Sequence, residues 1–218
     1  MRNATIAGGG PRQVTLRGMT RVIAGIAGGR RLSVPAGRDT RPTSDRAREG
    51  LFATVQAIRG PLAGASVLDL YAGSGAVGLE ALSRGAARAL LAEADPRAVS
   101  VIRANIAALG LAGGYVVADR VECVLARGPA AEHAGGAVGG RFDVAFADPP
   151  YAMPGEAVSA MLTTLITVGW LAPGALVVVE RSTRSGPVRW PDGYAEDRSR
   201  RYGEATLWYG LATGALLA

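Results

Sequence analysis

No lysine occurs anywhere in this chain, and all 24 of its basic residues are arginine. Lysine avoidance fits a compositional habit of GC-rich coding sequence and says little about function. Cysteine is nearly absent too. Cys123 stands alone, which excludes an internal disulfide and fits a reducing cytoplasm; its apolar neighbours predict a buried, inert thiol. One histidine, His133, beside one cysteine excludes a zinc site, and no metal is expected. Residues 1–18 lack the continuous apolar core of a signal peptide and contain Gly8-Gly9-Gly10-Pro11, so they read as a disordered extension. Charge is missing from Ala157 to Val179 over a membrane-spanning length. Pro173-Gly174 breaks that stretch, threonines dot it and a Leu-Val-Val-Val run ends it, so a helix, a turn and a buried strand are expected there and no membrane span.

What is present is an ordinary soluble composition: 218 residues, 49% hydrophobic and 19% charged, enough for one sizeable α/β core with an appendage. The net charge is +6, and from Arg21 to Arg48 there are seven arginines against two aspartates, a local excess that suits phosphate contacts as well as a solvated face. In the same region, two short apolar runs flank Ala27-Gly28-Gly29, predicting a β-hairpin over about 19–42. Arg41-Pro42-Thr43-Ser44-Asp45 then offers capping side chains ahead of Leu51, Phe52, Val55 and Ile58, which share one helical face. From Gly60 onward, strand candidates Ser66–Leu70, Arg88–Glu93, Gly114–Ala118, Phe142–Ala147 and Ala175–Glu180 alternate with helices such as Ala76–Ser83 and Pro96–Leu109. Such alternation predicts a mostly parallel sheet covered on both faces. The tail, Tyr194–Tyr202 and Ala205–Leu211 around Gly203, predicts a terminal antiparallel hairpin and closes a main domain over 43–218.

Two constellations carry chemistry. The first is Asp69-Leu70-Tyr71-Ala72-Gly73-Ser74-Gly75-Ala76-Val77-Gly78, a glycine-rich turn between a strand and a helix. Ala72, Gly73 and Gly75 would let the backbone approach a ligand at the helix amino end. The glycine spacing also matches a dinucleotide site, but Asp69 would then crowd a pyrophosphate with negative charge. A carboxylate there suits a ligand bearing an ammonium group, such as S-adenosyl-L-methionine. Glu93, about 20 residues beyond the glycines, stands where ribose hydroxyls are held, with Asp95 its competitor. Asp119 could accept from an adenine amine while the backbone at Arg120 reads the ring edge.

The second is Asp148-Pro149-Pro150-Tyr151, at the carboxyl end of a strand, where α/β sheets bind ligands. An amino group on a base is a poor nucleophile, because its lone pair is delocalised into the ring. The Asp148 carboxylate and the Pro149 carbonyl could each accept one of its N–H bonds, orienting the lone pair and stabilising the charge that develops on nitrogen. Tyr151 could stack on the base, which must be unpaired or flipped out.

These residues resemble the bacterial 16S ribosomal RNA guanine-N2 methyltransferases of the RsmD type. Arg-Val-Ile-Ala-Gly and Gly-Arg-Arg-Leu in the hairpin, Arg41 to Glu49, and Ala72 to Gly85 carry the likeness, which runs from about Arg21 to the end. Tyr151 stands where many relatives have phenylalanine. The resemblance implies a Rossmann-like class I fold, with a seven-stranded sheet, and a cytoplasmic enzyme using S-adenosyl-L-methionine. Its substrate would be a guanine amine in 16S rRNA of the small ribosomal subunit, with ribosomal proteins helping to form the binding site. Asp148, Pro149 and Tyr151 would be the target-amine site, and Gly73, Gly75, Glu93 and Asp119 the cofactor site. Arg30, Arg31, Arg41 and Arg46 would face RNA, and a monomer is expected because no apolar stripe lacks a partner. Rival readings are a DNA adenine or cytosine amino-methyltransferase and a ribosome-assembly factor without turnover; an NAD oxidoreductase ranks below both.

Overall fold

The computed structural model describes residues 20–35, 45–129 and 140–213. Elements run β1 (Thr20–Arg21), β2 (Arg31–Leu32), α1 (Asp45–Arg59), β3 (Ser66–Leu70), α2 (Ala76–Ser83), β4 (Arg88–Glu93), α3 (Pro96–Leu109), β5 (Gly114–Ala118), α4 (Val121–Arg127), β6 (Phe142–Ala147), α5 (Gly155–Thr167), β7 (Leu171–Ser182), β8 (Tyr194–Tyr202) and β9 (Ala205–Ala212). Seven strands form one sheet in the order β5-β4-β3-β6-β7-β9-β8. The neighbours from β5 to β7 are parallel, whereas β9 runs antiparallel to both β7 and β8.

Strand alternation divides the core. Val67, Leu91, Val144, Phe146 and Val178 pack with α1, α2 and α3 on one face. Leu68, Leu70, Leu90, Ala145 and Val177 pack with α4 and α5 on the other. Helices on both faces explain why the central strands are nearly continuous apolar runs. The charge-free stretch resolves into α5 and β7, and among the described residues no helix is long and apolar enough to cross a membrane. Pro173-Gly174 falls inside β7, not in a turn ahead of it. The pairing slips there, from Phe142↔Leu171 to Val144↔Leu176, and the two residues are exposed in the resulting bulge. A proline, having no N–H for the ladder, belongs at such a place.

The N-terminal hairpin has strands of only two residues. It is held by α2 rather than by its own ladder. The Glu80 carboxylate, fully buried, accepts from the Ile23 and Ala24 N–H groups at 2.5 and 3.0 Å and from Arg84 Nε at 2.7 Å. Ser83 Oγ accepts from the Ala27 N–H at 2.9 Å and donates to the Ala24 carbonyl at 2.6 Å. Gly25, at φ 83°, lies so close that a Cβ there would sit 1.8 Å from the Ser83 carbonyl oxygen. Wedged between hairpin and sheet, α2 is buried along its whole length. Arg48 on α1, 0% exposed, closes the other side, donating to Thr20 Oγ1, the Arg21 carbonyl and Asp45 Oδ1.

Candidate active site

The glycine turn is built from residues that no larger side chain replaces easily. Gly73 and Gly75 adopt φ 57° and 79°, in the left-handed region. Gly78 permits α2 to lie against the sheet, for a Cβ there would come within 2.9 Å of Leu91 Cδ2 and 3.1 Å of Asp69 Oδ2. The turn is tied inward by the Gly75 N–H on the Ala72 carbonyl at 2.7 Å and the Ala72 N–H on the Ala92 carbonyl at 3.0 Å. The amino end of α2 is thereby set over the carboxyl ends of β3 and β4.

Two carboxylates, Asp69 and Glu93, bond this turn and the start of α2. Asp69 is 1% exposed and accepts from the Gly78 N–H at 2.8 Å. Desolvation drives its pKa up to about 8, opposed by the Gly78 hydrogen bond and reinforced by the Glu93 charge. In this arrangement Asp69 holds the turn against α2. Glu93, 4% exposed at the end of β4, accepts from the Gly73 N–H at 2.8 Å and from the Asp95 N–H at 2.9 Å. Its competitor Asp95 is the N-cap of α3, accepting from the Arg97 N–H at 2.9 Å ahead of Pro96. That division leaves Glu93 as the carboxylate beside the turn. Asp119 follows β5, accepts from the Arg120 N–H at 2.7 Å and pairs with Arg127 at the far end of α4. Arg120 itself is the exposed N-cap residue of α4.

The acceptor segment meets the turn through strand register. Leu70 pairs with Ala147, so Tyr71 and Asp148 leave adjacent strands at the same level, and the Asp148 N–H bonds the Leu70 carbonyl at 3.3 Å. Adjacent strands lie about 4.8 Å apart. The two constellations, separated by some 70 residues of sequence, therefore share one crevice. Asp148 is half-buried, Pro149 buried and Tyr151 60% exposed.

A family model described as Conserved hypothetical protein 95, that of the RsmD family, matches residues 20–210. The chain belongs to this family. Ribosomal RNA small subunit methyltransferase D of Escherichia coli K12 is 34% identical over 187 residues, covering 86% of this chain and 87% of the relative. The protein of the same name from Haemophilus influenzae is 30% identical over 179 residues, covering 82% and 86%. Among solved structures, the methyltransferase yhhF of Escherichia coli matches with a TM-score of 0.77 at 31% identity, covering 91% of this chain and 100% of that one. The class I S-adenosylmethionine-dependent methyltransferase fold is thus shown for this RsmD-family chain. An RNA methyltransferase from Salinibacter ruber, solved with S-adenosyl-L-homocysteine, shares the fold with a TM-score of 0.56 at 17% identity, covering 81% of this chain and 96% of that one.

Two residues at the crevice escaped the sequence reading. Tyr71 adopts φ 60°, unusual for a residue other than glycine. Strand alternation would aim it with Asp69, yet its ring packs with Leu68 and Leu70 on the opposite face, where its hydroxyl meets Glu122 Oε1 at 3.4 Å and Met153 Sδ at 3.9 Å. Burial raises its pKa first, and Glu122 adds to that. Arg181, 7% exposed near the end of β7, donates from Nη2 to the Met153 carbonyl at 2.8 Å and so fixes the backbone just beyond Tyr151. Its only signal in sequence is a charge ending an apolar run. Cys123, expected buried, is half-buried on α4.

The arginines expected to face RNA differ in their surroundings. Arg31 and Arg46 are exposed. Arg30 is also exposed, but its guanidinium donates to the Leu109 carbonyl at 2.7 Å and to the Ala108 carbonyl, closing the carboxyl end of α3. Arg41 lies outside the described residues.

Proposed function

We propose that this chain transfers a methyl group from S-adenosyl-L-methionine to the exocyclic N2 amino group of a guanine in 16S rRNA of the small ribosomal subunit. The observation that carries this reading is the Leu70↔Ala147 register, with the Asp148 N–H on the Leu70 carbonyl, which sets an amine-binding segment beside a cofactor turn. Relatives named as ribosomal RNA small subunit methyltransferases, matched along most of both chains, support the substrate class.

The residues present fit the cofactor. Left-handed glycines at the amino end of α2 leave no side chain above the turn, and Glu93 and Asp119 stand at successive strand ends beside it. When bound, the cofactor supplies an electrophilic sulfonium methyl. Asp148 and the Pro149 carbonyl each accept an N–H of the target amine and turn its lone pair out of conjugation toward that methyl. On transfer the methyl–sulfur bond would break as the N–C bond forms, leaving a neutral thioether, while Asp148 would offset the positive charge growing on the amine nitrogen and would take up its displaced proton on the way to water. Tyr151, which is exposed, stacks on the extruded base, while Arg181 keeps the following backbone from drifting. Exposed arginines hold the RNA backbone, in the cytoplasm where small subunits are assembled, and the enzyme acts as a monomer.

The test is transfer of radiolabelled methyl from S-adenosyl-L-methionine to small subunits isolated from cells lacking the enzyme, beside naked rRNA and DNA. Label recovered as N2-methylguanosine from 16S rRNA is expected, falling roughly 10²-fold or more in Asp148→Ala. Label in DNA would transfer the reading to a DNA amino-methyltransferase. Cofactor binding without label in any substrate would point to an assembly factor.

A further inference from the structure

The other β-hairpin of the molecule, at the far edge of the sheet, carries arginines that the fold does not use. β8 is the outermost strand, and every residue between its two terminal tyrosines is exposed. Its register sets Arg198 opposite Tyr209 and Arg200 opposite Leu207. Tyr209 and Leu207 are core residues on the α1 face of the sheet. Residues directly opposed in an antiparallel ladder point to the same side, so Arg198 and Arg200 project from that face, just outboard of α1. Tyr202, two residues further along, reaches α1 itself, for a Cβ on Gly50 would lie 2.1 Å from the Tyr202 hydroxyl oxygen.

Register also fixes where these arginines stand relative to the acceptor crevice. Ala147 pairs with Val179, and the next rung of the sheet runs Glu180↔Leu207 and Leu207↔Arg200. Arg200 is therefore level with Asp148, three strands away, or about 14 Å at 4.8 Å per strand. The β8–β9 turn is fastened at this same edge, where the Thr183 N–H bonds the Glu204 carbonyl at 2.8 Å. Arg46, exposed in the first turn of α1, belongs to the same face.

A bulge tunes the pair. The ladder slips between Glu196 and Arg198, leaving Asp197 as the extra residue, with its carboxylate against the Arg198 guanidinium. Bulges re-aim side chains at sheet edges and deter edge-to-edge pairing. Arg200, two residues further along β8 and level with the crevice, has no ion-pair partner among the described residues.

We propose that Arg198 and Arg200 form a phosphate track for the RNA strand leading into the acceptor crevice, making the C-terminal hairpin an RNA-contacting element. The inference rests on the methyltransferase reading above. A planar guanidinium grips phosphate through paired N–H donors. Such contacts fix the register of the strand without reading bases, so specificity stays with the crevice. Asp197 tempers the track by competing for Arg198.

The experiment measures binding of the full chain to small subunits from cells lacking the enzyme, over a salt series, for wild type, an Arg198→Gln/Arg200→Gln double variant and Asp197→Asn. The double variant should bind roughly 5- to 20-fold more weakly at low salt, with a salt slope shallower by about 0.7 for each single-strand phosphate that it no longer neutralises. Asp197→Asn should change affinity in the opposite sense. Cofactor affinity and the unfolding midpoint should match wild type in both. Affinities and slopes equal to wild type in both variants, with wild type still methylating the subunits, would overturn the track and leave the enzyme reading standing. Wild type that neither binds nor methylates the subunits would overturn both.

Discussion

The two β-hairpins stand at opposite ends of the chain, and both are rich in arginine. Around the N-terminal one, guanidinium groups serve the fold: Arg48 of α1 is sealed against Thr20, the Arg21 carbonyl and Asp45, and Arg30, though exposed, donates to the carbonyls that end α3. In the C-terminal one, Arg198 and Arg200 stand outside the core on an edge strand. In composition the basic segment is Arg21 to Arg48, the first hairpin together with the start of α1, with seven arginines. What separates the two hairpins is which acceptors lie nearby. Arg48 and Arg30 meet the Arg21 carbonyl, Asp45 and the last carbonyls of α3, whereas β8 is laddered on one side to β9 and Arg198 has its own neighbour Asp197 as ion-pair partner.

Substitutions sharpen this contrast, and the largest effect is expected at Arg48. Arg48→Ala should lower stability by about 3–4 kcal/mol, through a cavity and the unsatisfied Thr20 and Arg21 acceptors, read as an earlier urea midpoint. Gly25→Ala should cost about 2–3 kcal/mol, because a left-handed φ is strained for alanine and its methyl would drive into the Ser83 carbonyl. Arg30→Ala should cost about 1 kcal/mol by the same measurement, the worth of helix-end hydrogen bonds at an exposed site. Arg200→Gln should stay within about 0.5 kcal/mol of wild type, as an exposed residue outside the core does. A stability loss at Arg200 as large as at Arg48 would erase the distinction between the hairpins.

Much of the fold is legible in the sequence, for a reason visible in the strands. Ser66–Leu70, Arg88–Glu93, Gly114–Ala118 and Phe142–Ala147 are short apolar runs bounded by glycine, proline or charge, and their ends fall where those punctuators stand. β7 is less transparent. Its bulge admits Pro173-Gly174 into a strand, and only the pairing slip against β6 reveals it. The site divides the same way. Glycines and Asp148 announce themselves by type and spacing, but Tyr71 and Arg181 matter through a backbone twist and a hydrogen bond across strands, neither of which leaves a mark in spacing. Asp69 shows the limit from the other side: its carboxylate holds the Gly78 N–H, a partner nine residues away that a linear reading cannot choose over a ligand. The Arg200 position emerges only when three registers are chained from β6 to β8.

Glu80 has a further consequence, in the timing of hydrogen exchange. A hairpin of two-residue strands would ordinarily fray and exchange its amides almost as fast as an open loop. Here the Ile23 and Ala24 amide protons rest on a carboxylate buried in α2, and that of Ala27 on a serine of the same helix. Those protons can leave only when the hairpin lifts from α2, so a hairpin with two-residue strands should exchange as part of the layer that covers one of the innermost helices and not as an open loop.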